Sequence, residues 1–381
     1  MPKNFDICIR GAGIVGRVLA LHLAAKQLRV ALMAPAESVP FYDSPTATDI
    51  RAYALNQASR DVLEAVRSWP DAQHATPVLA MQVVGDDGGQ VNFSAEQQGC
   101  AALNWIVDVP ALEEQLAQAV RFQPLIEIVN TPVAAALTVV CEGKASATRE
   151  EWGVQTDVTP YHQSAIACRV RTALFHSQTA RQWFSQGDIL AFLPLEGETG
   201  NLCAVVWSVT PERADELLVL PKNEFCLALE EASHRSTGAL ELLGERASWP
   251  LQHAVAQRWS GAGPQGAWVL VGDAAHTVHP LAGQGLNLGL ADVAELVQVL
   301  TTRPYWRSVG DPKLLRQYER SRKADFAMMG QANDALQLVL TRAHPALQAL
   351  RNWGMNRFDQ SGSIKHWVAS RAMGVGGNTR S

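Results

Sequence analysis

The stretch Val271–Asp292, V-G-D-A-A-H-T-V-H-P-L-A-G-Q-G-L-N-L-G-L-A-D, constrains the fold more tightly than any other part of the chain. The apolar run Ala267–Val271 before it reads as a buried parallel strand ending at Gly272. After it, Val293, Leu296, Val297 and Leu300 recur at helical spacing. The stretch is therefore a strand, a glycine-rich loop and the start of a helix. In an open α/β sheet, ligands sit at the carboxyl ends of strands, where Asp273 falls, and its carboxylate can accept hydrogen bonds from ligand hydroxyls. Gly283 and Gly285 let the backbone approach a flat ligand, and the following helix points its amides at whatever lies above the loop. A glycine-rich turn without a ligand is the plainer alternative.

The N-terminal segment asks for the same architecture. Phe5–Ile9 is a short apolar strand running into Gly11-Ala-Gly13-Ile-Val-Gly16, and a helix with Val18, Leu19, His22 and Leu23 follows. A lone G-x-G-x-x-G says little, but a strand before and a helix after make it a dinucleotide fingerprint. Gly11 makes the tight turn, Gly13 admits a pyrophosphate, and Gly16 allows close packing of helix on strand. Two departures stand out. Arg10 occupies a place where a small or apolar residue is usual. At the end of the second strand, Arg29–Met33, the acid that usually holds a ribose is replaced by Met33 and Ala34, with Glu37 as the nearest substitute.

Composition excludes several classes. The 381 residues suffice for a large core in two interleaved domains plus a terminal extension. A net charge of −5 argues against nucleic acid as a partner, and no apolar run approaches the roughly 18 residues of a membrane span. The N-terminus enters a strand directly, so no signal peptide is expected. The six cysteines form no C-x-x-C pair and the ten histidines no paired helical spacing, so neither a disulfide framework nor a metal site is expected.

The run Gly272–Asp292 closely resembles the second flavin-binding signature of the aromatic-ring flavin hydroxylases of the para-hydroxybenzoate-hydroxylase type. The branch that hydroxylates ubiquinone precursors is most similar. Asp49-Ile-Arg51-Ala-Tyr-Ala-Leu55 resembles that branch's D-x-R-x-x-A-L segment, in which the arginine lies along the flavin's phosphate and ring edge; a solvated helix-cap charge is the alternative for Arg51. Thr138–Ser146 is similar to the motif G-A-D-G-x-x-S, with Glu142 in place of the aspartate and Val140 in place of the first glycine. The family's β-meander is reduced, between Arg121 and Leu137, to a stub bracketed by Pro124 and Pro132. Tyr318-Glu-Arg320-x-Arg322-Lys323 and Met373-Gly374 extend the resemblance to about residue 375.

Between these motifs, Met81–Phe93 reads as a hairpin, Pro110–Val120 as an amphipathic helix, and Ser164–Val170, Ile189–Leu195 and Leu202–Val209 as strands. Gln178–Gln186 reads as a polar link and Arg213–His234 as helical. Phe192 and Trp207 either line an aromatic pocket or fill the core. The expected division is 1–73, 101–152 and 263–330 for a Rossmann-like, glutathione-reductase-like FAD-binding domain. It is interleaved with a β-sheet substrate domain, 74–100 and 153–262, and followed by C-terminal helices over 331–381.

The resemblance implies an FAD-dependent monooxygenase that uses molecular oxygen, with NAD(P)H or another electron donor as reductant, to hydroxylate the ring of a polyprenylated aromatic small molecule in ubiquinone biosynthesis. Gly11, Gly13 and Gly16 would cradle the pyrophosphate, and Asp273 would hold the ribityl or phosphate arm. Pro280, Gly283, Gly285 and Asn287 would form the floor beneath the reactive ring, with Arg51 and Glu142 beside the cofactor. No residue stands out as a general base, and His276 and His279 read as structural members of the loop. A cytoplasmic protein is expected, with contact to a ubiquinone-biosynthesis protein complex or peripherally to the inner membrane. In the tail, Trp353, Phe358 and Trp367 alternate with Arg351, Arg357, Lys365 and Arg371, which suits either a membrane interface or a cap on the core. Two other readings remain: another flavin enzyme such as a halogenase, whose W-x-W-x-I-P signature is absent, and a non-catalytic family member acting as a scaffold.

Overall fold

The computed structural model describes residues 5–34, 50–85, 89–197, 200–263, 266–278 and 284–341, with side chains to residue 327. Three sheets carry the chain. The first has six strands in the order Ser260–Gly263, Gly266–Leu270, Ala135–Val140, Phe5–Arg10, Val30–Met33 and Ile126–Val129. All but the outermost pair, Ser260–Gly263 with Gly266–Leu270, run parallel. Their near-continuous apolar sequences follow from burial on both faces. The helix Ile14–Ala25 covers one face with Val18, Leu19 and Leu23 fully buried, and the helices Val109–Arg121 and Gln284–Thr301 pack beside it. Ile126–Val129 is what stands in the stub, a single parallel edge strand on Val30–Met33.

The second sheet is a mostly antiparallel layer of eight strands. Its backbone is the long strand Thr156–Thr172, paired on one side with Leu202–Val209 and on the other with Leu240–Ala256. Side chains alternate across it. Ile166, Cys168, Val170, Val205, Trp207 and Phe192 face the helices Pro211–Val219 and Lys222–Ala232 in one apolar cluster. Phe192 and Trp207 are thus core, each 1% exposed, rather than pocket lining. A three-stranded sheet, Ala52–Leu55, Asn104–Asp108 and Ala75–Val78, lies between the two larger ones in chain order.

Two expectations need correction, and one long strand was not expected. Gln178–Gln186 is no link: Thr179–Ser185 is a strand, parallel to Ala80–Val84 and antiparallel to Asp188–Pro194. Its hairpin turns at Gln186 and Gly187, both with positive φ (49° and 96°), the conformation a two-residue turn demands. Arg213–His234 is two helices, Pro211–Val219 and Lys222–Ala232, because Leu220 precedes Pro221 and is forced into an extended conformation. Leu240–Ala256 is a 17-residue strand that hydrophobic patterning hides, since Glu241, Gly244, Glu245 and Pro250 interrupt it. The helix beginning at Pro312 continues to Thr341, and the aromatic and basic tail residues lie outside the described residues.

Candidate cofactor site

Three chain segments end side by side. Arg10 is in register with Val140, and Val140 with Leu270, so the turns after the three central strands emerge at one edge. Backbone hydrogen bonds carry the alignment past the strands: Cys141 N–H donates to Arg10 O (2.7 Å) and Val271 N–H to Val140 O (3.0 Å). The glycine turn, the Glu142 turn and the Asp273 turn therefore share one crevice, at the carboxyl ends of parallel strands.

The glycines divide by what surrounds them. Gly11 has φ +108°, and a Cβ there would lie 2.3 Å from Cys141 O. A Cβ on Gly16 would lie 2.0 Å from Gly11 O. Both positions are closed by protein. At Gly13 and Gly285, by contrast, no atom of the described residues lies within 4 Å of an added Cβ. The backbone there faces open space at the N-termini of the helices Ile14–Ala25 and Gln284–Thr301, where the helix dipoles and free amides favour negative charge.

Asp273 lies in a short 3-10 turn, Gly272–Ala274, entered through Gly272 at φ +64°. Its side chain reaches solvent, yet protein crowds the carboxylate. Burial raises its pKa above the ordinary 3.8, the charge of Asp292 adds to this, and His276 partly opposes it. The turn is held at both ends: Asp292 accepts from Gly272 N–H (2.8 Å), and Arg149 Nη1 donates to Ala274 O (3.1 Å).

Glu142 is turned inward. Its carboxylate accepts from Ser146 Oγ (2.7 Å), Thr148 N–H (3.0 Å) and Thr148 Oγ1 (2.5 Å). The same Thr148 hydroxyl accepts from Arg10 Nη1 (2.9 Å), and the Arg10 guanidinium lies over Trp152. The two unusual residues of the motifs are thus joined through one threonine. Arg51 lies half-buried with Nη2 3.6 Å from Glu113 Oε1, while Arg169 forks onto Asp108 beside it (2.6 and 3.3 Å). Asn287 uses its side chain to tie the signature helix to the segment after Ala52–Leu55. It donates to Ala54 O (2.8 Å) and accepts from Asn56 N–H (3.0 Å) and Ser59 Oγ (2.6 Å). Pro280 and Gly283, like Glu37 and His279, lie outside the described residues.

The FAD binding domain family matches residues 93–330, more than half of the chain. The chain belongs to the FAD binding domain family. The likeness to ubiquinone hydroxylases read from the motifs extends through nearly the whole chain. The 3-demethoxyubiquinol 3-hydroxylase of Escherichia coli (strain K12) is 28% identical over 97% of this chain and 98% of its own. The ubiquinone hydroxylase UbiL of Rhodospirillum rubrum is 28% identical over 98% of this chain and 90% of its own. Among solved structures, p-nitrophenol 4-monooxygenase PnpA from Pseudomonas putida DLL-E4 superposes with a TM-score of 0.74 at 17% identity, over 98% of this chain and 99% of that one, which establishes the fold.

The residues present fit FAD. The open space at Gly13 suits a pyrophosphate, that at Gly285 a flat ring, and the crowded Asp273 carboxylate lacks only hydroxyl partners. Protein crowds this carboxylate while its side chain still reaches solvent, so its charge costs the free protein a solvent-screened penalty. Asp273→Asn is therefore expected to raise the Tm of FAD-free protein while weakening FAD binding. The folded-state pKa is raised, so the wild-type penalty is absent below the ordinary value of 3.8 and grows as pH rises above it. Thermal melts of both proteins at pH 3.5 and pH 7, values set about that ordinary pKa, should diverge only at the higher pH. An Asn variant no more stable than wild type at neutral pH contradicts this.

Ala34 ends the second strand without a carboxylate, its N–H donating to Val129 O (3.1 Å). Ala34→Glu should restore a ribose partner and tighten FAD by about 1–2 kcal/mol in a fluorescence titration. An unchanged Kd together with a weaker Glu37→Ala variant would assign that task to Glu37.

Sequence reasoning missed the fully buried Asp292–Arg322 pair behind the loop, with Arg322 Nε donating to Asp292 Oδ1 at 2.7 Å. One signal was available. Asp292 is an acid in a helix that is apolar on more than one face, with Leu288 and Val299 buried on its own side.

Proposed function

We propose that this chain is an FAD-dependent monooxygenase that hydroxylates the aromatic ring of a polyprenylated phenol on the route to ubiquinone. The observation that carries the reading is the convergence of three turns on one sheet edge, with open backbone at Gly13 and Gly285, in a chain that matches ubiquinone hydroxylases nearly end to end. The division into FAD-binding parts (1–73, 101–152, 263–330), substrate parts (74–100, 153–262) and C-terminal extension (331–381) belongs to this proposal, with the helix Pro312–Thr341 running across its last boundary.

When bound, FAD supplies the redox chemistry, taking electrons from NAD(P)H or another donor and using molecular oxygen. The chain's residues bind, orient and exclude water. Gly11, Gly13 and Gly16 shape the pyrophosphate cradle, and Asp273 accepts from hydroxyls of the ribityl arm. The amides opening the helix Gln284–Thr301 favour negative charge on the ring system. Arg51, with its guanidinium 3.6 Å from Glu113, would supply positive charge to the phosphates. Asn287 acts through its backbone, since its side chain holds Ala54, Asn56 and Ser59. Glu142 stiffens the turn beside the cofactor.

No helix among the described residues is long and apolar enough to cross a membrane. A polyprenylated substrate therefore reaches the site from a bilayer surface or through a partner protein. The tail after residue 341, with Trp353, Phe358 and Trp367 among basic residues, is the proposed contact. Flotation on anionic liposomes by the full chain but not by a chain stopped near Gln348 supports the surface route. Failure of both to float points to delivery by a partner.

The activity test supplies FAD-loaded protein with NAD(P)H, isotopically labelled oxygen gas and a polyprenyl phenol in detergent. One labelled oxygen atom in the product is expected. Reductant consumption that yields only hydrogen peroxide, with no ring product from any polyprenyl phenol offered, would rule the reading out.

A further inference from the structure

Behind the Asp273 turn lies a buried polar cluster for which binding and catalysis have so far had no use. Asp292, 0% exposed, projects from the helix Gln284–Thr301. Its Oδ1 accepts from Arg322 Nε (2.7 Å), and its Oδ2 from Gly272 N–H (2.8 Å) and His276 Nε2 (2.7 Å). Burial alone would raise its carboxyl, but the charges and hydrogen bonds of His276 and Arg322 outweigh burial and hold it below the ordinary range. Asp292 is therefore a carboxylate that only accepts, which makes His276 Nε2 the donor.

Each partner is itself fixed. Arg322 donates onward to Asp325 (2.8 Å), and the His276 ring packs against both Trp259 and Phe326, each with its centroid 4.8 Å away. Tyr318, one helical turn before Arg322, donates to Leu270 O (3.1 Å) at the end of the strand that leads into the turn. Two helices and the incoming strand thus meet on one carboxylate.

Stability alone does not call for this arrangement. A buried ion pair contributes little net stability compared with apolar residues of the same shape. What the cluster does supply is direction. One of the three donors to Asp292 is the amide of Gly272, a residue at φ +64° that immediately precedes Asp273. With this amide tethered and Ala274 O held by Arg149, the three-residue turn has little freedom, and the Asp273 side chain points where the turn sends it.

We infer that Asp292 is a positioning residue of the cofactor site: anchored by Arg322 and His276, it holds the Gly272 amide and so sets the carboxylate of Asp273 at the crevice. This rests on the reading that Asp273 contacts FAD.

A double-mutant cycle tests it. FAD dissociation constants are measured by flavin fluorescence for wild type, Arg322→Lys, Asp292→Asn, Asp273→Ala and Arg322→Lys/Asp273→Ala, and the Tm of each FAD-free protein is recorded. Arg322→Lys keeps the charge but loses the fork, and both it and Asp292→Asn should raise the Kd by about tenfold. In the Asp273→Ala background Arg322→Lys should add nothing further, because the residue it positions is gone. If the two effects multiply, or if Asp292→Asn leaves the Kd unchanged while lowering Tm, the cluster is structural and the inference falls. Should Arg322→Lys fail to fold, His276→Gln carries the same cycle with the same two outcomes. Wild-type protein that binds no FAD would instead overturn the functional reading, and with it the inference, before any variant is compared.

Discussion

Gly13→Val is expected to abolish flavin retention while leaving a folded protein. The argument lies in the space around the residue. A Cβ at Gly13 meets no atom of the described residues within 4 Å, and the backbone there is extended (φ −72°, ψ −176°), a conformation open to any residue. Valine is a poorer helix N-cap than glycine, so the FAD-free protein should lose about 1 kcal/mol. A branched side chain in the open space would displace the pyrophosphate, and the Kd for FAD should rise by about a hundredfold or more, ~2.7 kcal/mol. Gly16→Val is the control with the opposite outcome. Its Cβ would lie 2.0 Å from Gly11 O, so it should destabilise the fold itself by about 3 kcal/mol. Two glycines three residues apart should thus separate binding from folding. Flavin retention by a folded Gly13→Val protein would mean that the pyrophosphate lies elsewhere.

Arg322→Met is expected to be among the most destabilising single changes in the described chain. It leaves Asp292, with no exposure, as a buried carboxylate that keeps His276 and the Gly272 amide but loses its guanidinium partner. Breaking such a pair costs about 3–5 kcal/mol, because the carboxylate left behind has lost its permanent counter-ion and has no water in its place. Denaturant unfolding of the FAD-free protein measures the loss. Arg307→Met offers the comparison. Its pair with Asp311 is about one-third exposed (32% and 23%), and removing it should cost about 1 kcal/mol at most. The sign with pH follows from Asp292, whose pKa is depressed below 3.8. The wild-type pair's contribution is fully present above that value, whereas in Arg322→Met burial raises the unpaired carboxyl, so the deficit should be largest near pH 8 and shrink toward pH 5 as the variant takes up a proton. Equal losses for Arg322→Met and Arg307→Met would contradict this account of the cluster.

Where local chemistry dictates local structure, the sequence was enough. The glycines of the N-terminal turn, the apolar runs before Gly11 and Gly272, and the helical spacing after Gln284 each fix a backbone conformation through sterics and burial. They placed the crevice before any coordinate did. Thr179–Ser185 escaped because its residues are mostly polar and its strand character comes from neighbours on both sides. Leu240–Ala256 escaped for a related reason, since pairing with Thr156–Thr172 overrides a glycine and a proline within it.

Side-chain direction was the other blind spot. Glu142 reads in the sequence as a residue beside the cofactor, and no local pattern shows that its carboxylate also accepts from Ser146 and Thr148, the threonine that Arg10 contacts. Arg10 and Glu142 each read alone as a departure from the family's pattern; joined by Thr148, they form one arrangement. Asp292 and Arg322 lie thirty residues apart on different helices, a contact that no local pattern encodes.

The scaffold reading and the enzyme reading part at the cofactor, so the most direct measurement is made on the wild-type chain before any variant. Purified protein is incubated with excess FAD, freed of unbound ligand on a desalting column, and its visible spectrum is recorded with the flavin released by denaturation. The account predicts the two-banded spectrum of bound flavin at one equivalent per chain. It also predicts bleaching of those bands by NAD(P)H or another donor under anaerobic conditions and their return on admission of air. A folded protein that emerges colourless, with no flavin released on denaturation, would contradict it.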